Sequence, residues 1–166
     1  METCFINSPL GITKIEGDEN GIAIISVLSE GDPRAKLELA KQVSEEIPEN
    51  LKEAVDQLCD YFDGKRTDFT LKLNPKGTDF QQIVWKELSN IPFGKTMSYL
   101  DLAKKLGDPK VIRAAASANG KNPLWIVVPC HRVIGTDGSL TGYAGGLWRK
   151  KWLLEHENPT NQQSLF

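Results

Sequence analysis

Asn122-Pro123-Leu124-Trp125-Ile126-Val127-Val128-Pro129-Cys130-His131-Arg132-Val133-Ile134 is the stretch on which the reading of this chain turns. Ile126 to Val128 is an apolar, β-branched run, which predicts a buried strand or core segment. Pro129 interrupts it, because proline has no N–H for a ladder and fixes its own φ. A cysteine and a histidine therefore stand where a rigid core segment stops. A nucleophile can be held still there. The competing reading is an inert thiol, since buried free cysteine usually behaves as a small hydrophobe.

Beyond this stretch, Thr136-Asp137-Gly138-Ser139 predicts a turn and Gly142-Tyr143-Ala144-Gly145-Gly146 a loop. A last helix is expected from about Gly146 to His156, carrying Leu147, Trp148, Trp152, Leu153 and Leu154. Residues 158–166 read as a flexible tail. On the other side, Ser98 can cap a helix over Tyr99 to Leu106, and Pro109 can open another running to about Asn119. Two short helices joined by a Gly-containing turn outline a helix-turn-helix. The second of them holds Ala114-Ala115-Ala116-Ser117-Ala118, with Arg113 as the long cation beside that small-residue run. Small side chains suit tight internal packing and also close approach to a DNA groove. Upstream, Thr78 can cap a helix with Phe80, Ile83, Val84 and Leu88 on one face.

The first half has a different texture. Residues 1 to about 30 are β-branched and alternating, with turns at Gly11 and at 16–21, and predict a small antiparallel sheet. A short helix fits around Lys36 to Gln42, bounded by Pro33 and Pro48. A stronger one fits Asn50 to Phe62, with Leu51, Val55, Leu58 and Phe62 at helical spacing and Cys59 beside the stripe. Phe69 to Leu73 alternates like another strand. Asn74-Pro75-Lys76-Gly77-Thr78 reads as a linker, which sets domains at 1–75 and 76–157.

The bulk numbers bound the rest. The chain has 166 residues, 40% hydrophobic and 25% charged, an ordinary globular composition. No apolar run approaches the roughly 20 residues needed to cross a bilayer, and the N-terminus lacks a signal-peptide pattern. A soluble, cytoplasmic protein with no membrane partner is expected. Cys4, Cys59 and Cys130 have no CxxC spacing, so free thiols are expected, and with only His131 and His156 no metal site assembles. Net charge is −2, but unevenly spread. Residues 1–75 carry 8 Lys/Arg against 15 Asp/Glu, a balance of −7; residues 76–166 carry 12 against 7, a balance of +5. A polyanion partner for the basic half and an uneven solvated surface both fit this split.

Thiolate is the reactive form of cysteine, and a neighbouring base raises its population. His131 adjoins Cys130 in sequence, and Glu157 at the end of the last helix is a candidate to orient it. On residues alone three assignments stand: a thiol hydrolase, a cysteine alkyl acceptor, and a helix-turn-helix module with a structural cysteine.

Several ordered motifs favour the second. Phe93-Gly94-Lys95-Thr96-Met97-Ser98-Tyr99, Arg113-Ala114, Gly120-Lys121-Asn122-Pro123, Val128-Pro129-Cys130-His131-Arg132-Val133-Ile134, Gly142-Tyr143-Ala144-Gly145-Gly146 and Trp152-Leu153-Leu154 together resemble the C-terminal domain of the O6-alkylguanine-DNA alkyltransferases. The resemblance covers about 78 to 157. Residues 1–75 are more loosely similar to that family's ribonuclease-H-like N-terminal domain. The implied fold is α/β: a small antiparallel-sheet domain, then a mainly helical domain with a helix-turn-helix.

The resemblance implies a monomer without cofactor that acts once on alkylated double-stranded DNA through the minor groove. Its substrate would be O6-alkylguanine, with O4-methylthymine as a second lesion. Cys130 would take the alkyl group irreversibly. His131 would deprotonate it through a water, oriented by Glu157. Tyr99 would protonate the base and crowd its phosphate, and Asn122 would pin the turn before the active segment. Arg113 would fill the gap left by the flipped base, with Ala114, Ala115, Ser117 and Ala118 against the groove. The backbone of Val128 and Cys130 and the Tyr143-Ala144 loop would read the base, with Trp125 a candidate wall. Trp125 and Trp148 also fit a core role, which the residues favour. Zinc ligands carried by some relatives are not assembled, since both histidines lie in the second half. The cysteine sets the chain apart from alkyltransferase-like proteins that bind lesions without repairing them. Gln162-Gln163-Ser164-Leu165-Phe166 resembles the short peptide by which bacterial repair proteins dock on the sliding clamp.

Overall fold

The computed structural model describes residues 1–28 and 46–159. The helix expected around Lys36 to Gln42 and the peptide Gln162 to Phe166 lie outside them. The chain divides into two compact units, Met1–Lys76 and Gly77–Phe166.

In the first unit, β1 (Glu2–Ser8), β2 (Gly11–Asp18) and β3 (Gly21–Val27) form an antiparallel sheet in that order. Alternation puts Cys4, Ile15 and Ile25 side by side, and Ile6, Thr13 and Val27 beside them, all six buried. A short 3-10 turn, Glu49–Leu51, leads into α1 (Lys52–Phe62). The buried residues here are Leu51, Ala54, Gln57, Leu58 and Tyr61. Val55 and Phe62, expected on the inner stripe, are only half-buried, and Cys59 is exposed. Tyr61 takes the inner place, with Phe62 and Phe69 packed on its ring.

Phe69 to Leu73 does not form the expected strand. Among the described residues it makes one parallel bridge, Ile22 to Leu73. The buried Gln57 competes for its backbone: Thr70 N donates to Gln57 Oε1 at 3.0 Å, and Gln57 Nε2 donates to Thr70 Oγ1 at 2.9 Å. A side chain thus occupies a ladder position.

The second unit is mainly helical. α2 (Asp79–Leu88) starts with a capping box between Thr78 and Gln81. Its buried residues are Val84, Trp85 and Leu88, whereas Ile83, expected inside, is 58% exposed. Trp85 replaces it because its indole N–H has a partner, the Ala118 carbonyl at 2.8 Å. β4 (Met97–Ser98) runs into α3 (Tyr99–Lys105), capped by the Ser98 hydroxyl. After the Gly107 turn, the helix expected from Pro109 opens as a 3-10 turn, Pro109–Val111, before α4 (Ile112–Gly120).

The apolar run Ile126 to Val128 is a core segment but not a strand. It folds into tight turns ending in a 3-10 turn, Cys130–Arg132, and then β5 (Val133–Ile134). β5 pairs with β4 in parallel, Met97 with Val133 and Ser98 with Ile134. This short ladder sets Tyr99, the first residue of α3, beside the end of the Cys-His-Arg turn. α5 (Leu147–Glu157) closes the unit. Leu147 and Trp148 are each 50% exposed, so Trp148 is not a core residue. Among the described residues no helix is long and apolar enough to cross a membrane.

The capping box gives a direct check on this reading. Thr78→Ala should cost about 1 kcal/mol of stability, read by urea denaturation; an unchanged midpoint would mean that the box does not hold the start of α2.

Candidate active site

The site is built on the turn before Cys130. Asn122 is buried, and its side chain does the work of a missing strand partner. Its Oδ1 accepts from Leu124 N at 2.9 Å; its Nδ2 donates to Val128 O at 2.7 Å and to Leu124 O at 3.3 Å. Backbone bonds from Val127 N to Trp125 O (2.8 Å) and from Val128 N to Leu124 O (2.9 Å) tighten the turn. Ile126 is held at φ 72°, alone in positive φ among the described non-glycine residues. For a β-branched residue that is strained, at a cost of order 1–3 kcal/mol. Asn122 and the burial of Leu124, Ile126 and Val128 over-determine it.

This arrangement corrects one expectation. Both backbone groups of Val128 are committed inside the protein. Its carbonyl accepts from Asn122 and from Cys130 N (2.8 Å), and its N–H is taken by Leu124. They are not free to read a base.

Cys130 is 4% exposed. Burial pushes its thiol up from the ordinary value, and the Asn122 amide, the Lys150 ammonium and the Tyr143 hydroxyl pull it partly back. His131 is fully buried, and its Nε2 lies 2.8 Å from Glu157 Oε2. Glu157 also receives a two-pronged grip from Arg132: Nε to Oε1 at 2.8 Å and Nη2 to Oε2 at 3.0 Å. The third arm of Arg132, Nη1, donates to Ile91 O at 2.7 Å.

These contacts bias the protonation states. Burial alone would raise the Glu157 carboxyl, but His131 and Arg132 outweigh it and hold it well below the usual carboxylate range. Burial lowers the His131 imidazole, against the opposing pull of Glu157. Arg132 is the permanent cation of the three, so Glu157 keeps a positive partner when burial leaves His131 neutral. A carboxylate can only accept, so the imidazole proton sits on Nε2. Nδ1 is then a bare acceptor, and it is buried with no protein partner.

Lys150 is fully buried and donates to Val133 O (2.6 Å) and Thr141 O (3.1 Å). Burial lowers its ammonium to about 8, with Cys130 acting in the opposite direction. Arg149, also buried, donates to Gly145 O at 2.8 Å. The two cations fasten the 141–146 loop to α5. In that loop Tyr143 packs against Trp125, ring centroids 5.5 Å apart. Gly145 lies beneath both rings; a Cβ there would stand 2.8 Å from Trp125 and 3.0 Å from Tyr143. Trp125 is half-buried and Ala144 exposed.

Tyr99 is half-buried, and its hydroxyl accepts from Asn119 Nδ2 at 3.4 Å. On α4, Arg113, Ala114 and Ser117 are exposed. Ala115 and Ala118 are buried, at 0% and 3% exposure, so they cannot line a groove as expected. They let α4 pack closely, with the Ala118 carbonyl bonded to Trp85.

Among the residues singled out from sequence, the fold brings Cys130, His131, Glu157, Asn122 and Val128 together, with Trp125 on Tyr143. Four further buried polar residues were not anticipated: Asn119, Arg132, Arg149 and Lys150. A signal for one existed. Lys150, Leu153, Leu154 and Glu157 share one helical phase, and all are buried.

The family model described as "6-O-methylguanine DNA methyltransferase, DNA binding domain" matches residues 79–159, and its "ribonuclease-like domain" matches residues 3–75. The chain is 44% identical over 152 residues to a methylated-DNA--protein-cysteine methyltransferase of Methanosarcina barkeri, covering 92% of this chain and 94% of that one. A protein of the same name from Mycobacterium tuberculosis is 57% identical over 104 residues, 63% of each chain. Among solved structures, the Mycobacterium tuberculosis O6-methylguanine methyltransferase gives a TM-score of 0.79 at 42% identity, covering 93% of this chain and 91% of that one. Mycobacterium tuberculosis OGT in complex with DNA gives 0.81 at 40% identity, covering 99% and 95%. The chain belongs to the 6-O-methylguanine DNA methyltransferase family, the O6-alkylguanine-DNA alkyltransferases.

Proposed function

We propose that this chain repairs O6-alkylguanine in DNA by one irreversible transfer of the alkyl group to Cys130. The observation that carries the reading is the buried set His131–Glu157–Arg132 immediately after the buried Cys130, with His131 Nδ1 enclosed and without a protein partner. His131, through a water, takes the thiol proton. The sulfur attacks the alkyl carbon, a carbon–sulfur bond forms, and the carbon–O6 bond breaks with its electron pair passing to guanine. Tyr99 supplies a proton to the base, which leaves neutral, and the phenol is restored from solvent. Overall the thiol loses one proton and guanine gains one. The product is a thioether with no acyl carbon for water to attack, so Cys130 is consumed.

An atom inside a duplex is out of reach of a buried thiol, so the base must be extruded at a cost of a few kcal/mol. On this reading α3 and α4 act as a helix-turn-helix, with Arg113 in the vacated stack and Ala114 and Ser117 at the minor-groove surface. Tyr143, Ala144 and Trp125 wall the flipped base. Residues 1–75 form the ribonuclease-H-like domain and 76–157 the active-site domain. A monomer in the cytoplasm, where its three free thiols persist, completes the proposal. The 162–166 peptide is its proposed clamp ligand.

Mass spectrometry tests the transfer. After incubation with O6-methylguanine duplex, the Cys130 peptide should gain the mass of one methylene, once per molecule, and Cys130→Ala should abolish it. Modification at Cys4 or Cys59, or repeated turnover, would overturn the mechanism.

The protonation states predict an acid response. Both folded-state values are depressed, so the unfolded chain binds protons first, and stability is lost as pH falls. The loss should begin below the ordinary imidazole value of 6.5 and continue below the ordinary carboxyl value of 4.5. His131→Gln keeps a donor for Glu157 but cannot titrate, so its loss should begin only in the lower range. Identical onsets in the two proteins, by chemical denaturation across pH, would contradict a buried neutral His131.

A further inference from the structure

Asn119 lies on the inward side of α4, 4% exposed. Its Nδ2 is 3.4 Å from the Cys130 carbonyl oxygen and 3.4 Å from the Tyr99 hydroxyl. Its Oδ1 is buried and has no protein partner. A backbone carbonyl can only accept, so the group facing Cys130 must be the amide NH2. That fixes which way the side chain points. The NH2 has two hydrogens, one for each neighbour. The Tyr99 oxygen therefore receives a hydrogen bond, and its own proton is left free to be given away.

We propose that Asn119 is a positioning residue for Tyr99: it occupies the phenolic oxygen as a donor, presents the phenolic proton to the departing guanine, and steadies the negative charge left when that proton goes. The inference rests on the reading of Tyr99 as the proton donor. A phenol is a weak acid, and an N–H aimed at its oxygen becomes a stronger bond as the oxygen becomes charged. The gain is therefore larger in the transition state than in the bound complex, and belongs to the rate rather than the affinity. The second hydrogen, on the Cys130 carbonyl, ties the same amide to the nucleophile's backbone. One side chain thus sets the distance between acid and nucleophile. Its helix also carries the exposed Arg113 and Ser117 on its other side.

The test is a double-mutant cycle on single-turnover transfer at saturating O6-methylguanine duplex. Asn119→Leu, a replacement of similar size, should slow transfer roughly tenfold. Affinity for the same duplex, measured in a Cys130→Ala background, should change by less than about twofold. Tyr99→Phe should also be slow, and adding Asn119→Leu to it should slow it no further. A double variant slower than Tyr99→Phe by the full single-variant factor would overturn the proposal alone, since Asn119 would then act on the fold and not through Tyr99. An unchanged rate in Asn119→Leu, or a loss confined to affinity, would also overturn it. Tyr99→Phe at the wild-type rate would overturn the Tyr99 reading and this inference together. If the leucine variant does not fold, Asn119→Ala takes its place in the same cycle with the same outcomes.

Discussion

The grip of Arg132 on Glu157 is the interaction on which the rest of the site depends. Two N–H bonds, at 2.8 and 3.0 Å, hold a carboxylate that has almost no contact with solvent. Removing one partner of such a buried pair costs about 3–5 kcal/mol, because the other charge is left uncompensated. The consequence for chemistry is larger than the consequence for stability. With Arg132 in place, Glu157 stays charged without drawing a proton from anywhere else. His131 can then be neutral, with its proton on Nε2 and a free lone pair on Nδ1. Without Arg132, the nearest positive charge available to Glu157 would be a protonated His131, and a protonated imidazole cannot act as a base. The third arm of Arg132 reaches the Ile91 carbonyl, so the charge chain is also fastened to the turn after α2.

A second constraint holds the nucleophile itself. The segment before Cys130 is not part of any extended ladder. Asn122 substitutes for one with three hydrogen bonds, and the strained Ile126 is the cost of turning so sharply inside an apolar core. Lys150 and Arg149 do the same for the 141–146 loop, pinning it by its carbonyls to α5. Both walls around Cys130 are therefore irregular backbone made rigid by side chains. This suits a site whose groups must be fixed before the substrate arrives. Burial raises the thiol, so Cys130 does not rest as a thiolate; the proposed transfer needs a base at the moment of attack.

How much of this was legible in the sequence depends on the residue type. The Pro-Cys-His-Arg signature, the antiparallel sheet, the Thr78 and Ser98 caps and the two-unit texture follow from local patterns, and the fold contains them. Misreadings arose where a side chain replaced a backbone partner. Gln57 took the bonds of a strand at Phe69 to Leu73; at Ile126 to Val128, where a strand or a core segment was expected, Asn122 decided for the core segment. Trp85 displaced Ile83 from the core because a distant carbonyl satisfied its indole. Ala115 and Ala118 looked the same as their exposed neighbours until helix packing separated them. Asn119, Arg132 and Arg149 were illegible for a related reason: polar residues are ordinarily solvated, and only the fold reveals which ones are enclosed with partners.

The tautomer of His131 decides whether Nδ1 is open to take the thiol proton. Nitrogen-15 NMR of histidine-labelled protein at neutral pH reads it directly. One fixed tautomer is expected for His131, with a protonated, pyrrole-like Nε2 and a bare, pyridine-like Nδ1. Signals of an imidazolium with both nitrogens protonated, or of a proton on Nδ1, would contradict it.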